Sequence, residues 1–136
     1  MKRIAVFLCI CCLLGGCGFN KKEPVSRVVT GVEVEYQHSG GTIHRVYTQN
    51  DTISSLLNYL RLLRPYGPVI PGETKNATCR IVLRYSHGPE TVYLQQGYDY
   101  LQKDNGHWQK IDNEHAMLLY PMLILMPSDN PLTSDN

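Results

Sequence analysis

The sequence predicts an α+β domain in which two helices pack on one face of a mainly antiparallel sheet of about five strands. Three observations indicate this fold class: segments in which apolar and polar residues alternate, one segment with an apolar stripe at helical spacing, and an apolar segment near the end of the chain. The predicted order of elements is ββαβββα. An antiparallel sheet with both helices on one face buries both helical stripes against a single core.

The first two strands are predicted to form a hairpin over residues 28–48. Val32, Val34 and Tyr36 share one face of the first strand, and the glutamates between them share the other. The turn follows at His38-Ser39-Gly40-Gly41, where glycine accepts a positive φ at little cost. Residues 42–48 then return as the second strand.

The helix after this hairpin has the clearest pattern in the chain. Asn50 or Asp51 is the expected cap, and Pro65 is expected to end the helix. An apolar stripe runs along one side. It consists of Ile53, Leu56, Leu57, Leu60 and Leu63. Residues 65–77 contain three prolines and two glycines and are predicted to be an irregular connection.

The second half of the chain returns to strand patterns. Residues 78–85 alternate, with Cys79, Ile81 and Leu83 on one face and Arg80 and Arg84 on the other. A further strand is expected over residues 91–95. The segments 98–103 and 107–111 flank an Asn-Gly step that is typical of a hairpin.

The last segment begins at a predicted cap, Asp112, and continues to Met126. Pro121 interrupts it, so the segment forms either one kinked helix or two short helices. It is apolar on nearly every side, and it is too short to span a membrane. It is therefore either fully buried or leaves an apolar surface for a partner or a second copy.

The N-terminus is typical of an exported protein. Lys2 and Arg3 precede an uncharged apolar run over residues 4–14, which has the length of a signal peptide rather than of a membrane span. The run ends in Leu14-Gly15-Gly16-Cys17, which resembles the lipobox of bacterial lipoproteins. None of Cys9, Cys11 and Cys12 follows two small residues. We therefore expect Cys17 to become the lipid-modified residue, joined to diacylglycerol by a thioether.

These observations divide the chain into a signal peptide at 1–16, a lipidated tether at 17–26, one domain at 27–127 and a polar tail at 128–136. The full sequence of 136 residues has a formal net charge of +1, which becomes −1 without Lys2 and Arg3. A nearly neutral chain without a basic block gives no reason to expect nucleic acid as a partner. Because Cys79 is the one thiol left in the mature domain, the fold must depend on its apolar core rather than on an internal disulfide.

Candidate catalytic and metal-binding groups are all explained by simpler roles. The histidines show no His-x-x-x-His spacing, and His38, His87 and His107 fall at or beside predicted turns, so no metal or other cofactor is expected. Cys79 leads the apolar face of a strand, where a free cysteine behaves as a small hydrophobic residue. Glu33 and Glu35 share a face of the predicted sheet with Arg80 and Arg84, so we expect cross-strand ion pairs among these four residues.

A group of aromatic residues in the last strands is the candidate binding surface. Exposed aromatic side chains on a sheet stack on sugars or anchor a protein partner. The alternative is that half of these side chains face the helices. The candidate residues are Tyr93, Tyr98, Tyr100 and Trp108.

The layout resembles the small exported lipoprotein domains of Gram-positive bacteria that lack an assigned activity, such as the YhfM-like group. The resemblance is carried by the lipobox, a strand pair, the capped helix over residues 51–64 and the segment rich in tyrosine and glycine over residues 81–108. Pro121 in the final helix departs from it. The resemblance implies a fold and a location on the outer face of the cytoplasmic membrane, and it assigns no functional residue.

Three functions remain open from the sequence. The first is a membrane-anchored, non-enzymatic binding module for an envelope protein or glycan, since no catalytic motif is found. The second is an inhibitor or modulator of an envelope enzyme, which uses the tyrosine-rich hairpins as a wedge. The third is a hydrolase with a dispersed site.

Overall fold

The computed structural model describes residues 26–70 and 76–130. Seven strands form one sheet: β1 (Val29–His38), β2 (Gly41–Tyr47), β3 (Tyr66–Ile70), β4 (Cys79–Tyr85), β5 (Thr91–Gln96), β6 (Tyr100–Lys103) and β7 (Trp108–Lys110). Three helices complete it: α1 (Asn50–Leu62), α2 (Asn113–Ala116) and α3 (Leu119–Leu125). Every neighbouring pair of strands is antiparallel, in the order β2-β1-β4-β5-β6-β7-β3. The predicted antiparallel α+β fold is confirmed, with seven strands in place of about five.

One buried core holds the helices to the sheet. Its strand members lie on one face of β1, β2, β4 and β6, because successive side chains of a strand point to opposite faces, and the others lie mainly on the inner sides of the helices. The core comprises Val32, Val34, Tyr47, Ile53, Leu56, Tyr59, Leu63, Cys79, Ile81, Leu83, Leu101, Ile111, Ala116, Leu119 and Leu123. It includes the predicted strand faces and most of the predicted helical stripe, while Leu57 and Leu60 pack at its margin.

The start of α1 differs from the predicted cap by one residue. Gln49 occupies the cap position without a side-chain hydrogen bond, and Asn50 and Asp51 are already helical. Thr52 instead donates its hydroxyl to the Gln49 carbonyl at 2.8 Å. Asp51 remains favourable in the first turn, because a carboxylate there interacts well with the positive end of the helix dipole.

The prediction of an irregular connection over residues 65–77 is wrong for its first part. Residues 66–70 form β3, which pairs with β7, while residues 71–75 lie outside the described residues. The strand tolerates Pro68 because β3 is the edge of the sheet, where a missing N–H costs no ladder hydrogen bond. The pairing register shifts between Tyr66 and Val69, on either side of this proline.

The last apolar segment forms two short helices rather than one kinked helix, the two alternatives that the sequence left open. Asp112 caps α2 as predicted, and its carboxylate accepts a hydrogen bond from the Glu114 N–H at 3.0 Å. The break falls at Met117 and Leu118 rather than at Pro121. Pro121 lies in the first turn of α3, where a backbone N–H has no partner within the helix.

The ordered domain also extends beyond the predicted boundary at residue 127. Ser128, Asp129 and Asn130 lie along β2: the Asp129 N–H donates to the Val46 carbonyl at 2.8 Å, and the Asn130 side chain accepts from the Val46 N–H at 2.8 Å. We call residues 128–130 the C-terminal strap. The rest of the predicted tail, residues 131–136, lies outside the described residues.

Candidate binding surface

The four aromatic residues predicted as a binding surface do not share one exposed surface. Trp108 is only 5% exposed and lies on the sheet face opposite to the helices, as does the half-buried Tyr100. Tyr93 lies on the helix side and packs against the core. Tyr98 alone is well exposed, at 39%. Of the four, only Tyr93 is placed on the helix side of the sheet, so neither a single aromatic surface nor the alternative with half of the side chains facing the helices describes them.

Tyr98 instead belongs to an aromatic cluster whose other members the sequence did not indicate as binding residues. Tyr36 and Tyr120 have ring centroids 5.6 Å apart, and the His38 ring lies 5.8 Å from that of Tyr120. The hydroxyl of Tyr98 neighbours that of Tyr36. We call Tyr36, His38, Tyr98 and Tyr120 the tyrosine surface.

Three different elements bring this cluster together. Tyr36 lies near the end of β1, on the helix side, where it follows Val32 and Val34 in the alternation. Tyr120 stands in the first turn of α3, and Tyr98 lies in the turn between β5 and β6. The cluster is thus formed at the corner where the end of β1 meets the start of α3.

Partly buried hydrogen bonds fix the turn that carries Tyr98. The Gln95 side chain donates to the Gly97 carbonyl at 2.9 Å, and the Gly97 N–H donates to the Thr78 hydroxyl at 2.9 Å. Gly97 has a φ of 55°, a conformation that glycine adopts without steric cost. Tyr59 in turn donates its hydroxyl to the Gln95 side-chain oxygen at 2.8 Å. The backbone turn that carries Tyr98 is therefore held by a chain of hydrogen bonds that begins in the core.

Within the tyrosine surface, the Tyr36 hydroxyl is held in its neutral, hydrogen-bond-donating form. Burial raises the pKa of Tyr36 to about 12, and the neighbouring hydroxyl of Tyr98 adds to the shift. The Tyr36 phenol therefore stays neutral at physiological pH. Neutral phenols with partly exposed rings offer both an apolar face and an O–H donor, the combination that stacks on sugar rings and anchors protein partners.

The tyrosine surface lies far from the point where the described chain begins. Ser26 and Arg27 precede β1, and Tyr36 is seven residues beyond the first residue of that strand. At about 3.3 Å per residue, this separation is roughly 23 Å. Arg27 lies over the ring of Tyr85 at 4.0 Å, which fastens the start of the domain to the last residue of β4. The tyrosine surface therefore lies at the opposite end of β1 from the start of the described chain.

Cys79 is buried in the core, as predicted. It is 2% exposed, and burial raises the pKa of its thiol to about 12. Because the thiolate rather than the thiol is the nucleophile, Cys79 carries no reactive form at neutral pH.

The open face of the sheet carries the predicted charge network, centred on Glu33. Arg84 forms an ion pair with Glu33, and the His44 ring lies 2.8 Å from the second carboxylate oxygen. Arg84 also contacts Glu90 at 3.3 Å. The hydrogen bond from His44, followed by the charge of Arg84, holds the pKa of Glu33 below its usual value, although desolvation opposes them. Cross-strand ion pairs therefore explain Glu33 and Arg84.

A cleft of about 530 Å³ beside the end of α1 combines charges of both signs. Arg61, Arg64, Asp112 and His115 contribute to its lining. Asp112 and His115 contact each other at 2.8 Å, and this hydrogen bond lowers the pKa of the Asp112 carboxyl. Over residues 26–70 and 76–130, no three His, Cys, Asp or Glu side chains are grouped closely enough to hold a metal ion.

The remaining predictions fall on parts of the chain that the structure does not describe. The signal peptide, the lipobox and Cys17 lie outside the described residues. Among the helices of the described part, none has the length and hydropathy needed to cross a membrane.

Comparisons with known proteins add no relative. No protein-family model matches the chain, no curated protein is significantly similar to it, and no solved structure matches its fold.

Proposed function

We propose that this chain is a lipoprotein of the cell envelope, anchored through Cys17 to the outer face of the cytoplasmic membrane, and that its domain is a non-enzymatic binding module. The anchor is supported by the apolar leader and by the sequence Leu14-Gly15-Gly16-Cys17. The tyrosine surface is the contact site for a glycan or a protein of the envelope.

The observation that carries this proposal is the position of the tyrosine surface. Tyr98 and Tyr120 are 39% and 38% exposed, the Tyr120 ring packs against that of Tyr36, and the backbone turn that carries Tyr98 is fixed by the Gln95 side chain. Ordered aromatic side chains lose little conformational entropy on binding, which makes them effective anchors. Their distance from the N-terminal tether leaves them accessible when the chain is attached to a membrane.

The anchor is tested in the native host by labelling with radioactive palmitate and by mass spectrometry of the mature protein. We expect label and a diacylglycerol adduct on the wild-type chain. The Cys17→Ser chain is the control and should carry neither. An intact leader and no label on the wild-type chain would overturn the anchor.

The binding site is tested by capture from solubilised native envelope. The double substitution Tyr98→Ala and Tyr120→Ala should reduce partner recovery about tenfold, which corresponds to about 1.4 kcal/mol. Tyr66→Ala is the matched control, because Tyr66 is an exposed tyrosine, at 59%, on the far edge strand β3. Equal recovery by the double variant and the wild type would contradict the assignment of the site.

A further inference from the structure

Helix α3 exposes apolar side chains over most of its circumference. Leu119 and Leu123 are buried in the core, whereas Leu118, Ile124 and Leu125 are 45%, 46% and 81% exposed. No charged residue occurs from 116 to 127. A helix that is apolar on all sides is normally buried on all sides. The outward side of α3 is therefore an exposed apolar surface of the kind that usually contacts a partner or a membrane.

A groove between α3 and α1 continues this uncovered surface. It measures about 380 Å³, and apart from Ser55 its lining is apolar. The lining residues are Ser55, Leu118, Pro121, Met122, Leu125 and Met126. We call Leu118, Met122, Ile124 and Leu125 the apolar helix face.

The surface of α1 next to the groove is polar but largely uncharged. Ser54, Ser55 and Asn58 are exposed there, and Arg61 donates to the Asn58 side chain at 2.6 Å. A charged partner surface would find little to pair with along this rim. A lipid bilayer has an apolar interior bordered by a polar headgroup layer, and these two regions match the apolar face and its polar rim.

The C-terminal end of the apolar helix face, at Ile124 and Leu125, lies toward the end of the sheet at which the described chain begins, whereas Leu118 lies at the start of α3, near the tyrosine surface. After α3, the Asp129 N–H bonds to the Val46 carbonyl, and the Thr48 hydroxyl bonds to the Asp129 carboxylate at 2.5 Å. The end of β2 is paired with the first half of β1, as the register of Val32 with Tyr47 shows. Leu125, four residues before Asp129, is therefore close to the N-terminal end of the domain.

We propose that the occupant of the apolar helix face is the lipid bilayer itself, with Ile124 and Leu125, at the C-terminal end of α3, at the boundary between headgroups and acyl chains. This inference rests on the proposed attachment at Cys17. Ser26 is nine residues after Cys17, and a fully extended chain of that length reaches only about 30 Å. The bilayer is thus always within reach of the face, at a high effective concentration, whereas a second copy would have to be met by diffusion.

The experiment measures the depth of α3 in a membrane with a fluorescent probe. The lipidated full chain, purified from its host, carries Leu125→Cys labelled with bimane and is placed in vesicles of phosphatidylglycerol and phosphatidylcholine. Doxyl groups on the acyl chains quench a probe that enters the bilayer. Cys79 is buried and does not compete for the label. Leu125 is 81% exposed, so the substitution leaves the core intact.

The matched control is Thr42→Cys, an exposed position on β2 on the sheet face opposite to the helices. We expect at least twofold stronger quenching at Leu125 than at Thr42, and the same result with Ile124→Cys as a second probe position. Equal, weak quenching at all three positions in a chain that floats with the vesicles would overturn membrane docking and leave the anchor standing.

Two other outcomes separate the alternatives. If the wild-type chain does not float with the vesicles, the proposed anchor fails and the docking inference falls with it. If pyrene at Leu125→Cys forms excimers at the same level with and without lipid, a second copy covers the face, and the bilayer does not.

Discussion

Two buried tyrosines show how a single hydroxyl changes the role of a residue. Tyr59 and Tyr47 are 2% and 0% exposed, and burial raises the pKa of both. The Tyr59 hydroxyl bonds to Gln95 at 2.8 Å, whereas the Tyr47 hydroxyl has no hydrogen-bond partner within residues 26–70 and 76–130. A buried polar group without a partner costs free energy, so the same residue type stabilises the domain at one position and weakens it at the other.

The substitution of phenylalanine at each position tests this difference. Tyr59→Phe breaks the bond to Gln95 and should lower the free energy of unfolding by about 1–3 kcal/mol. Tyr47→Phe removes an unsatisfied hydroxyl and should leave that free energy unchanged or raise it. Urea denaturation of both variants beside the wild type makes the comparison. Equal destabilisation by the two substitutions would show that the Tyr47 hydroxyl has a partner in solution.

The binding candidates show where residue-level prediction from sequence stops. Cys79 could be assigned to the core because alternation places it beside Ile81 and Leu83 on an apolar face. Tyr36 lies on such a face as well, and Tyr120 is 84 positions away along the chain. No local pattern indicates that their rings come within 5.6 Å of each other. Only the path of the chain between them determines that contact.

At the level of elements, helix α1 is decided largely by its own sequence. Its apolar stripe, its acidic first turn and Pro65 beyond its end all agree with the observed helix. Strand β3 is the opposite case, since Gly67 and Pro68 predict a loop. A tertiary position at the sheet edge, paired with β7, makes a strand of it.

Helix α3 gives an element-level prediction, because adjacent residues differ sharply in burial. Leu123→Ala empties a fully buried site and should lower the free energy of unfolding by about 2–5 kcal/mol. Ile124→Ala removes an exposed side chain, so in solution the change should stay within about 0.5 kcal/mol. Thermal and urea unfolding of the two variants measure both values. A large loss with Ile124→Ala would mean that this side of α3 is covered within the folded domain.

At the scale of the whole molecule, the C-terminal strap closes one edge of the sheet. Arg45 on β2 is only 6% exposed, and it donates to the Ser128 hydroxyl at 3.0 Å and to the Asn130 carbonyl at 3.4 Å. The Asn130 side chain also donates to the His44 carbonyl at 3.1 Å. An uncovered edge strand is a template for pairing with other chains, so the strap protects the domain from such association.

Removal of the Asn130 side chain should open this edge. Asn130→Ala loses the hydrogen bond from the Val46 N–H, and hydrogen exchange at the Val46 amide should accelerate about fivefold or more. Asn58→Ala, on the outer side of α1, is the control and should leave that rate unchanged. An unaltered Val46 rate in Asn130→Ala would indicate that the backbone bonds of the strap are sufficient.

The sequence by itself determined the fold class, the approximate extent of α1, the burial of Cys79 and the common sheet face of Glu33 and Arg84. Each of these depends on residues near one another in the chain or on a simple alternation between two faces. The tertiary structure decided that residues 66–70 form the edge strand β3, and it decided the burial of Trp108, the tyrosine surface and the exposed side of α3. These features depend on which distant segments pack together, and hydrophobic periodicity assigns side chains to a face without specifying what covers that face.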